Sequence, residues 1–537
     1  MIFDLDNLPP HSQRECQICI IGSGAAGLAI AQALASSGLD VLMLESGAEP
    51  AEPPIQALYQ CDFTELPVPG AIDGRFRILG GSTTEWGGQS LPLTPLDFAA
   101  RPWVPHSGWP ISPEELGPHY QAAAAFLMTD AFNFDTDLFG HLRAAPPPFA
   151  AGSAHHCAHY NFSKWSPRPN LRLTYVPLFA ASKTMNLCCH ASVTQLRLDA
   201  GHGQISGVIA RSLGGNEITV RAGHVLLCCG AIENARLLLA SNQQIPAGVG
   251  NSHDLVGRYF MEHPGGEVGT VEPASERAAE QLQAWFNTFY RKHEGSLLRY
   301  TPRLAASAQL QQSQSMLNAS AMLTFLPKGD SPYTMVRDAL SNLRYGRGRA
   351  EAAKALLRGA LSPGELAVPA YKYLVAKRAY VPNPRIGLSM LTEQEPNPES
   401  RVTLGPVADA LGMARSRINW QLTDHTRRTV LGFAGALQAD FAKHQLGTIR
   451  LDERLLAAER GWQAVTFNQK HHMGTTRMSD DPSFGVLDRD LRVHGIANLW
   501  VGSASAFPTG GHSNPTLTLI ALSLRLAGHV KSLLAGR

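Results

Sequence analysis

The sequence has almost no net charge and lacks a long hydrophobic run. Its 46 basic and 44 acidic side chains leave a net charge of +2, which argues against a chain built as a whole to bind nucleic acid. No run of about 18 uncharged apolar residues occurs, so we expect no transmembrane helix. Residues 1–10 are acidic and lack the charged-then-apolar plan of a signal peptide. We therefore expect a cytoplasmic protein, with membrane association as the less favoured alternative.

The eight cysteines form no pattern typical of a redox pair or a metal site. Cys16 and Cys19 are spaced as C-x-x-C, but they fall within an apolar strand pattern. Cys228 and Cys229 are adjacent at the end of a strand, where neighbouring side chains point to opposite faces. We therefore expect buried free thiols. The histidines near the C-terminus lack acidic or thiolate neighbours at ligand spacing, so we predict no metal site there.

The length of 537 residues predicts two or more domains, and 44% hydrophobic residues suit large buried cores. We predict an α/β protein with a Rossmann-like dinucleotide-binding domain and a second, α+β substrate domain built on a mixed sheet. The predicted boundaries are residues 1–100, 171–266 and 465–537 for the dinucleotide-binding domain, 101–170 for a connecting segment, and 267–464 for the substrate domain. No repeats or low-complexity tracts occur.

The N-terminal part of the sequence predicts one complete unit: a strand, a glycine turn, a helix, a second strand and an acidic residue, in that order. Residues 17–21 and Val41–Leu44 are apolar runs, residues 28–37 have a helical pattern, and residues 22–27 read Gly-Ser-Gly-Ala-Ala-Gly. Glu45 follows the second strand at the spacing that places an acid on ribose hydroxyls. A glycine-rich turn without a ligand is the alternative, but the complete unit favours a dinucleotide site.

Each glycine of this turn has a predicted role. Gly22 allows the tight turn, Gly24 lets the backbone approach a pyrophosphate at the helix N-terminus, and Gly27 lets the helix pack close to the sheet. No second motif of this kind occurs downstream. A single site that brings its own redox group favours a tightly held flavin over NAD.

Two Gly-Gly pairs enclose hydroxyl residues and a tryptophan at residues 80–88. Such a loop can lie close to a flat ligand. Further on, residues 187–198 and 207–220 are predicted strands. Residues 224–229 are predicted to form a strand that leads into a helix at 230–239, which indicates another βα unit of the same sheet.

In the middle of the chain glycine turns are fewer, and strand and helix patterns are mixed. Residues 322–325, 386–391 and 402–404 are strand candidates, and residues 423–444 predict one long helix. Residues 333–385 hold ten basic against three acidic side chains. A solvated helical face is the simplest interpretation. A lid over the site, or a patch for a membrane or an acidic partner, are the alternatives.

The C-terminal part returns to glycine-rich turns. Two imidazoles, His471 and His472, stand close to Gly474, and Asn514 stands beside glycines at a helix start. Asn514 is a natural N-cap and Pro515 suits the first turn of a helix that runs to about Val530. We interpret this stretch as a site where a substrate hydroxyl loses a proton and a hydride.

Together these motifs resemble the glucose–methanol–choline (GMC) family of flavoprotein oxidoreductases. The similar pieces span nearly the whole chain in the family order: the glycine turn with Glu45, the loop at 80–88, the turn at 257–264, the segments at 393–398 and 400–402, and the stretches at 471–478 and 502–518. Residues 270–385 have no match. The resemblance is greater to the pyranose-oxidase and fructose-dehydrogenase branch than to the glucose-oxidase branch.

The resemblance implies a bound FAD and assigns residues to it. His471 is the implied catalytic base, and Asn514 occupies the family's second catalytic position. Some members of the pyranose-oxidase branch attach FAD through a histidine just before the loop tryptophan; Glu85 stands there, so we expect non-covalent FAD. Val193 matches the position that contacts adenine through its backbone. The expected cofactor contacts are Gly22, Gly24, Ala25, Ala26, Gly27, Glu45, Ser46, Gly81, Ser82, Thr84, Trp86, Gly87, Gly88, Val193, Gly502, Ser503, Asn514, Pro515 and Thr516.

The implied reaction is alcohol oxidation with hydride transfer to flavin N5. A histidine with a pKa near neutrality can accept the hydroxyl proton, and the asparagine can donate a hydrogen bond to the same oxygen. The candidates for lining the substrate pocket are Glu85, Gln89, His472 and His512. His263 is expected only to fix a turn.

Several functions stay open at this point. The favoured substrate is a hydroxyl of a sugar, glycoside or polyol, by analogy with the branch. An oxidase of an aminoglycoside-type natural product, a lyase or decarboxylase of the same fold, and a membrane-facing dehydrogenase that reduces quinone are the alternatives. Oxygen, quinone and a cytochrome all remain as electron acceptors, and the oligomeric state is not predicted.

Overall fold

The structure is a computed structural model, and it describes residues 1–68, 70–147, 158–329, 331–344, 352–354, 356–357, 363–457, 460–464 and 467–535. Its strands are β1 (Ile2–Asp4), β2 (Ser12–Ile21), β3 (Val41–Leu44), β4 (Cys61–Phe63), β5 (Gln89–Ser90), β6 (Ala158–Trp165), β7 (Met185–Cys189), β8 (Ser192–Leu198), β9 (Ile205–Arg211), β10 (Glu217–Leu227), β11 (Pro264–Pro273), β12 (Phe289–His293), β13 (Ser296–Ala306), β14 (Ala319–Pro327), β15 (Pro384–Thr392), β16 (Arg401–Ala408), β17 (Ala414–Asn419), β18 (Gly447–Leu451), β19 (Phe467–Asn468) and β20 (Leu499–Val501).

The α-helices among these residues are α1 (Ala25–Leu34), α2 (Pro53–Gln56), α3 (Gly70–Asp73), α4 (Pro95–Phe98), α5 (Pro113–Phe126), α6 (Leu138–Leu142), α7 (Leu171–Tyr175), α8 (Pro177–Ala181), α9 (Ala231–Ala240), α10 (Glu276–Phe286), α11 (Ala308–Ser313), α12 (Pro332–Arg344), α13 (Pro363–Leu374), α14 (Asp424–Lys443), α15 (Glu453–Leu456) and α16 (Thr516–Ala535). Short 3₁₀ turns lie at Leu5–Asn7, Ala57–Tyr59, Gly81–Thr84, Arg460–Ala464 and Ala504–Ala506.

The first sheet joins strands from the two ends of the chain. Its order is β1-β7-β3-β2-β10-β9-β8, and β20 also pairs with β10. Six strands of this sheet are parallel to one another: β1, β7, β3, β2, β10 and β20. The other two, β9 and β8, are antiparallel to their neighbours. Ile21 lies in register with Leu44 and with Leu227, and Leu227 lies in register with Val501. The segments that follow these residues therefore emerge at one edge of the sheet, where doubly wound folds bind ligands.

Apolar runs explain why these strands lie in the middle of the sheet. All four residues of β3 are buried, as are the last four of β2, which is typical of parallel strands covered on both faces. On the helical side α1 packs against α16, and α16 packs against α5. Ser112 caps α5 in a capping box with Glu115.

The second sheet is antiparallel and covers the other side of the molecule. Its order is β18-β11-β15-β14-β13-β6-β5, with β12 paired to β13 and β19 paired to β11. It has its own hydrophobic core, to which α14 contributes Phe433 and Phe441. A three-stranded sheet, β16-β17-β4, packs Val402 and Ile418 into the first core. The α/β fold class with a Rossmann-like part is as predicted, and the domain boundaries stay a prediction. The second sheet was predicted to be mixed, but its described strand pairs are all antiparallel, because hairpins and other antiparallel connections join them.

Two predicted strands are each divided in the structure. The segment 187–198 breaks between β7 and β8, where His190 has a φ of 53° and its ring is hydrogen-bonded to Asp4 and Glu52. The segment 207–220 contains the turn between the antiparallel strands β9 and β10. Gly214 and Gly215 in this turn are a local turn signal that the predicted strand passed over.

One helix in the described part of the chain, α16, is long and apolar enough to cross a membrane. Half of its most apolar window is buried, against α1 and α5 among other elements. Such a helix is typical of the core of a large protein. It begins at Thr516, where the sequence placed it, and it continues beyond Val530 to Ala535.

The basic segment 333–385 lies partly outside the described residues. Its described helices are α12 and α13. Tyr371, Leu374 and Val375 are more than half exposed at the end of α13, and Leu357 is 67% exposed. Apolar side chains therefore accompany the positive charge on this surface.

Candidate active site

A cavity of about 740 Å³ opens at the edge of the first sheet where β2, β3, β10 and β20 end. Most residues expected from the sequence line it: Gly22, Gly24, Ala25, Ala26, Glu45, Ser46, Gly81, Ser82, Glu85, Trp86, Gly87, Gln89, Val193, His471, His472, Gly502, Ser503, Asn514, Pro515 and Thr516. Four others, Gly27, Thr84, Gly88 and His512, are not among the lining residues.

The glycine turn leaves room for a ligand where the sequence predicts a pyrophosphate. Gly22 has a φ of 101°, and a Cβ there would lie 2.7 Å from the Cys228 carbonyl oxygen. A Cβ on Gly24 would meet no atom within 4 Å, so this glycine faces open space. A Cβ on Gly27 would lie 2.0 Å from the Gly22 carbonyl oxygen. Gly27 is therefore needed for close packing of α1 on the turn, and it does not line the cavity although it was among the expected cofactor contacts.

Glu45 is tied into the turn by its carboxylate. One oxygen accepts hydrogen bonds from the Ser23 backbone N–H at 2.8 Å and from its hydroxyl at 2.7 Å, and the other accepts one from the Gly47 N–H at 3.0 Å. The Ser23 hydroxyl also accepts a hydrogen bond from the Gly80 N–H. Burial raises the pKa of Glu45, against these hydrogen bonds. Glu45 thus links turn, strand and loop, and its contact with a ribose stays a prediction.

The loop at residues 80–88 packs directly on the glycine turn. A Cβ on Gly81 would lie 3.0 Å from the Gly24 Cα. Trp86 donates a hydrogen bond through its indole N–H to the Pro169 carbonyl at 2.6 Å, which holds the loop against the chain before α7. Thr84 donates to the Gly81 carbonyl, and Gly88 packs against Ser166 and Pro169. The last two therefore shape the loop and do not face the cavity.

His471 and Asn514 meet at the cavity wall. The Asn514 amide nitrogen lies 3.3 Å from His471 Nε2, although the two residues are 43 positions apart in the chain. Burial lowers the pKa of His471 well below its usual value, and the charges of His263, Arg303 and His472 lower it further. The imidazole is therefore neutral over a wide pH range, which a proton acceptor requires.

The amide of Asn514 bonds to side chains from distant parts of the chain, and its predicted role as an N-cap stays a prediction. The amide oxygen accepts a hydrogen bond from Arg303 Nη2 at 2.9 Å. Arg303 is fully buried on β13 and has no acidic partner among the described residues. Burial lowers its pKa to about 10, so it stays charged. Because the guanidinium can only donate, it directs the amide N–H₂ of Asn514 toward His471.

A short antiparallel bridge brings a second pair of residues beside the two histidines. Met261 and Met473 exchange backbone hydrogen bonds of 3.0 and 2.9 Å. Glu262 and His263 therefore lie opposite His471 and His472. His263 Nδ1 is 2.9 Å from His471 Nδ1, and its Nε2 is 3.3 Å from the Gly510 carbonyl oxygen. His263 was expected to fix a turn, but its ring contacts His471 and the Gly510 carbonyl, which the sequence did not predict.

Glu262 holds the chain that carries the histidines. Its carboxylate accepts hydrogen bonds from the Gln469 N–H at 2.9 Å and the His263 N–H at 3.2 Å. Burial raises the pKa of Glu262 to about 8, against these backbone donors. Its other oxygen lies 3.5 Å from His472 Nε2, and burial lowers the pKa of His472 to about 3.

His512 is fully buried and does not line the cavity. Both of its ring nitrogens lack a hydrogen-bond partner within the described part of the chain. Burial lowers its pKa well below the usual value, and the charge of Arg303 lowers it further. The prediction that it lines the substrate pocket is therefore not met, since the ring is enclosed by protein.

The cavity fits a flavin dinucleotide. Gly24 leaves open space at the N-terminus of α1, where a pyrophosphate would bind. Gln89 Nε2 and Thr194 Oγ1 are buried in the lining and have no partner among the described residues, so polar groups remain for a ligand. The start of α16 also lines the cavity and directs its positive end there. When bound, FAD would supply the acceptor for the substrate hydride.

Comparison with known families agrees with the motifs. Residues 396–523 match the family described as GMC oxidoreductase, and residues 20–51 match the NAD(P)-binding Rossmann-like domain. These matches confirm the resemblance to GMC oxidoreductases that the sequence motifs indicate. They also confirm the Rossmann-like fold class and an oxidoreductase that acts on CH–OH groups, with FAD as the cofactor of such flavoproteins.

Relatives that match over nearly the whole chain agree with this resemblance. Paromamine 6'-oxidase from Streptomyces fradiae is 25% identical, with 98% of this chain and 93% of the relative covered. 2-Methyl-1,2-propanediol dehydrogenase from Mycolicibacterium austroafricanum is 24% identical, with 97% and 96% covered. Among solved structures, pyridoxine 4-oxidase from Mesorbium loti has a TM-score of 0.55 at 17% identity, with 96% of this chain and 99% of that chain covered.

Proposed function

We propose that this GMC oxidoreductase oxidises a hydroxyl of a sugar, glycoside or polyol to a carbonyl, with His471 as the base and FAD held without a covalent bond. The observation that carries the proposal is the pair of His471 Nε2 and Asn514 Nδ2, 3.3 Å apart, at the wall of the cavity that the glycine turn also lines. A relative over nearly the whole chain acts on a diol, as its name states, which supports a polyol substrate.

The proposed chemistry divides the work between the two side chains. His471 Nε2 accepts the proton of the substrate hydroxyl while a hydride leaves the carbon that bears this hydroxyl. Asn514 donates a hydrogen bond from its amide nitrogen to the substrate oxygen, where negative charge develops before the carbonyl forms. The substrate thus loses one proton to the protein and two electrons with a hydride to the cofactor, so the reaction balances.

Burial supports this division. Asn514 is 9% exposed, and the half-buried ring of His471 has His263 and Asn514 beside it, which limits the access of water to the substrate oxygen. A neutral imidazole next to an uncharged amide also needs no prior proton loss at neutral pH. Glu85 lines the cavity at the position of the linking histidine in some relatives of the branch, and a carboxylate there supports non-covalent FAD.

The test is anaerobic reduction of the purified yellow enzyme by sugars, glycosides and simple polyols, followed through flavin absorbance. We expect at least one polyhydroxylated compound to bleach the flavin. His471→Ala should keep FAD but slow this reduction by roughly 10²- to 10⁴-fold. His253→Ala is the matched control, since His253 is exposed, and should reduce at the wild-type rate. Fast reduction of His471→Ala would refute His471 as the base.

A second candidate substrate is an amino sugar of the aminoglycoside type. A full-length relative is named paromamine 6'-oxidase, and the exposed carboxylate of Glu85 in the cavity lining could bind an ammonium group. The same screen distinguishes the two, because aminated and neutral sugars are offered in parallel. Bleaching by neither class, with turnover of another kind, would instead favour the lyase or decarboxylase alternative.

A further inference from the structure

The ring of His263 is placed to control the proton on His471. It is fully buried, and the two rings stand 5.1 Å apart at 84°. Each nitrogen of His263 has one neighbour: Nδ1 faces His471 Nδ1 at 2.9 Å, and Nε2 faces the Gly510 carbonyl oxygen at 3.3 Å. Gly510 is itself confined, since a Cβ there would lie 2.7 Å from the Met473 methyl group.

These contacts permit one arrangement of protons when both rings are neutral. A carbonyl oxygen only accepts, so His263 carries its proton on Nε2 and donates it to Gly510. His263 Nδ1 is then an acceptor, and His471 must donate its proton from Nδ1. The lone pair of His471 is left on Nε2, the nitrogen that faces Asn514 at 3.3 Å. Burial lowers the pKa of His263 to about 4, which keeps this ring neutral.

We propose that His263 is a positioning residue that fixes the tautomer of His471, so that Nε2 is the basic nitrogen directed at the substrate. The inference rests on the proposed function, because it assumes that His471 accepts the proton. In the Ser-His-Asp triad a buried carboxylate fixes the imidazole tautomer. Here a neutral imidazole with a backbone carbonyl behind it does so, and this group adds no negative charge of its own.

Three substitutions of His263 separate the hydrogen bond from packing. His263→Asn keeps an acceptor oxygen near the position of Nδ1 but loses the contact with Gly510. His263→Gln keeps a donor toward Gly510 but places no acceptor at the Nδ1 position. His263→Leu loses both. A role in packing alone would make Asn no better than Gln.

The measurement is the anaerobic rate of flavin reduction at saturating substrate, with substrate Kd and FAD content determined on the same samples. We expect His263→Leu and His263→Gln to slow reduction by roughly 10²- to 10⁴-fold, because the His471 tautomer with the proton on Nε2 becomes populated. Substrate Kd and FAD content should change little. His263→Asn should reduce to within about tenfold of the wild-type rate. Should His263→Leu fail to fold, His263→Gln provides the same comparison with His263→Asn.

The double variant His263→Leu/His471→Ala distinguishes failure of this inference from failure of the proposed function. If His263 acts through His471, the double variant reduces as slowly as His471→Ala alone. A further loss in the double variant, or a Leu variant as fast as the wild type, would overturn the positioning role while His471 stands as the base. Fast reduction by His471→Ala alone would overturn both.

Histidine-selective ¹⁵N spectra provide a readout that does not depend on turnover. The His471 signals are assigned by their loss in His471→Ala. In the wild type Nδ1 should be the protonated nitrogen, and in His263→Leu the proton should shift to Nε2. An unchanged His471 tautomer in His263→Leu would contradict the inference directly.

Discussion

Arg303 shows at the scale of a single residue how one buried charge can orient a neutral catalytic amide. Its Nη2 donates to the Asn514 oxygen at 2.9 Å, and its Nη1 lies 3.4 Å from the Ser320 hydroxyl. Burying a guanidinium without a carboxylate partner costs folding free energy. In exchange, Arg303 orients the Asn514 amide and lowers the pKa of His471.

We expect Arg303→Gln to slow flavin reduction by about tenfold, because Asn514 loses a charge-assisted hydrogen bond. The pKa of His471 should rise in this variant, since the positive charge of Arg303 opposes its protonation. A base works only when unprotonated, so the acid limb of kcat/KM should move to higher pH by about one unit. In the wild type, kcat/KM should stay constant to below pH 6.5.

Ser320→Ala is the matched control for Arg303→Gln, because it removes the other polar contact of the guanidinium and leaves its charge and the Asn514 contact in place. Its rate and pH profile should match the wild type. If the acid limb of kcat/KM does not move in Arg303→Gln, the charge of Arg303 does not affect the pKa of His471.

Among the structural elements, those encoded by adjacent residues could be predicted from the sequence. β3 was predicted at its observed bounds, and α1 was found with its ends displaced by about one turn. The glycine turn between β2 and α1 needs particular residues at fixed spacing, so it is visible in the sequence alone. The GMC resemblance added the pairing of His471 with Asn514, which no local pattern contains.

The partners of that pair could not be found in the same way. Arg303 is 211 positions from Asn514, and His263 is 208 positions from His471. Their contacts depend on where the second sheet places β13 and the start of β11, which β14 and β15 separate. Such long-range placement leaves no periodic signal in the chain. A buried arginine in an apolar strand was the available signal for Arg303, since such a charge needs a buried partner.

Gly474 makes the bridge between Met261 and Met473 possible at the scale of an element. Its φ is 86°, and a Cβ there would lie 2.1 Å from the Tyr259 carbonyl oxygen. We expect Gly474→Ala to lower the free energy of unfolding by on the order of 2–3 kcal/mol. It should also slow flavin reduction, because the bridge sets His263 against His471. Thermal unfolding and anaerobic reduction of the same sample measure both effects.

The control for Gly474→Ala is Gly495→Ala. Gly495 has a similar φ of 79°, but a Cβ there would meet no atom within 4 Å. Only the backbone strain remains, so we expect a loss of about 1 kcal/mol and no change in the reduction rate. Equal effects of the two substitutions would mean that the contact with Tyr259 contributes nothing.

The charge of the whole molecule is divided unevenly. Residues 333–385 carry a net charge of +7 in a chain whose total is +2, so the remaining residues carry −5. Within this segment the described side chains of Leu357, Leu374 and Val375 are 67%, 62% and 64% exposed. Exposed apolar residues among basic ones are typical of a surface that binds an anionic membrane. Of the interpretations drawn from the sequence, exposure therefore favours a binding patch over a plain solvated face.

We expect the protein to co-sediment with vesicles that contain anionic phosphatidylglycerol at low salt and to be released at high salt, because salt screens the attraction. Vesicles of phosphatidylcholine alone should bind little. Lys372→Glu/Lys377→Glu should lose binding through charge, and Leu374→Ser/Val375→Ser through apolar contact, while flavin reduction stays at the wild-type rate in both. Because charge and apolar area act together at such a surface, each pair of substitutions should weaken binding on its own. Absence of binding at low salt would leave the segment as a solvated face, and it would remove the reason to consider quinone as the electron acceptor.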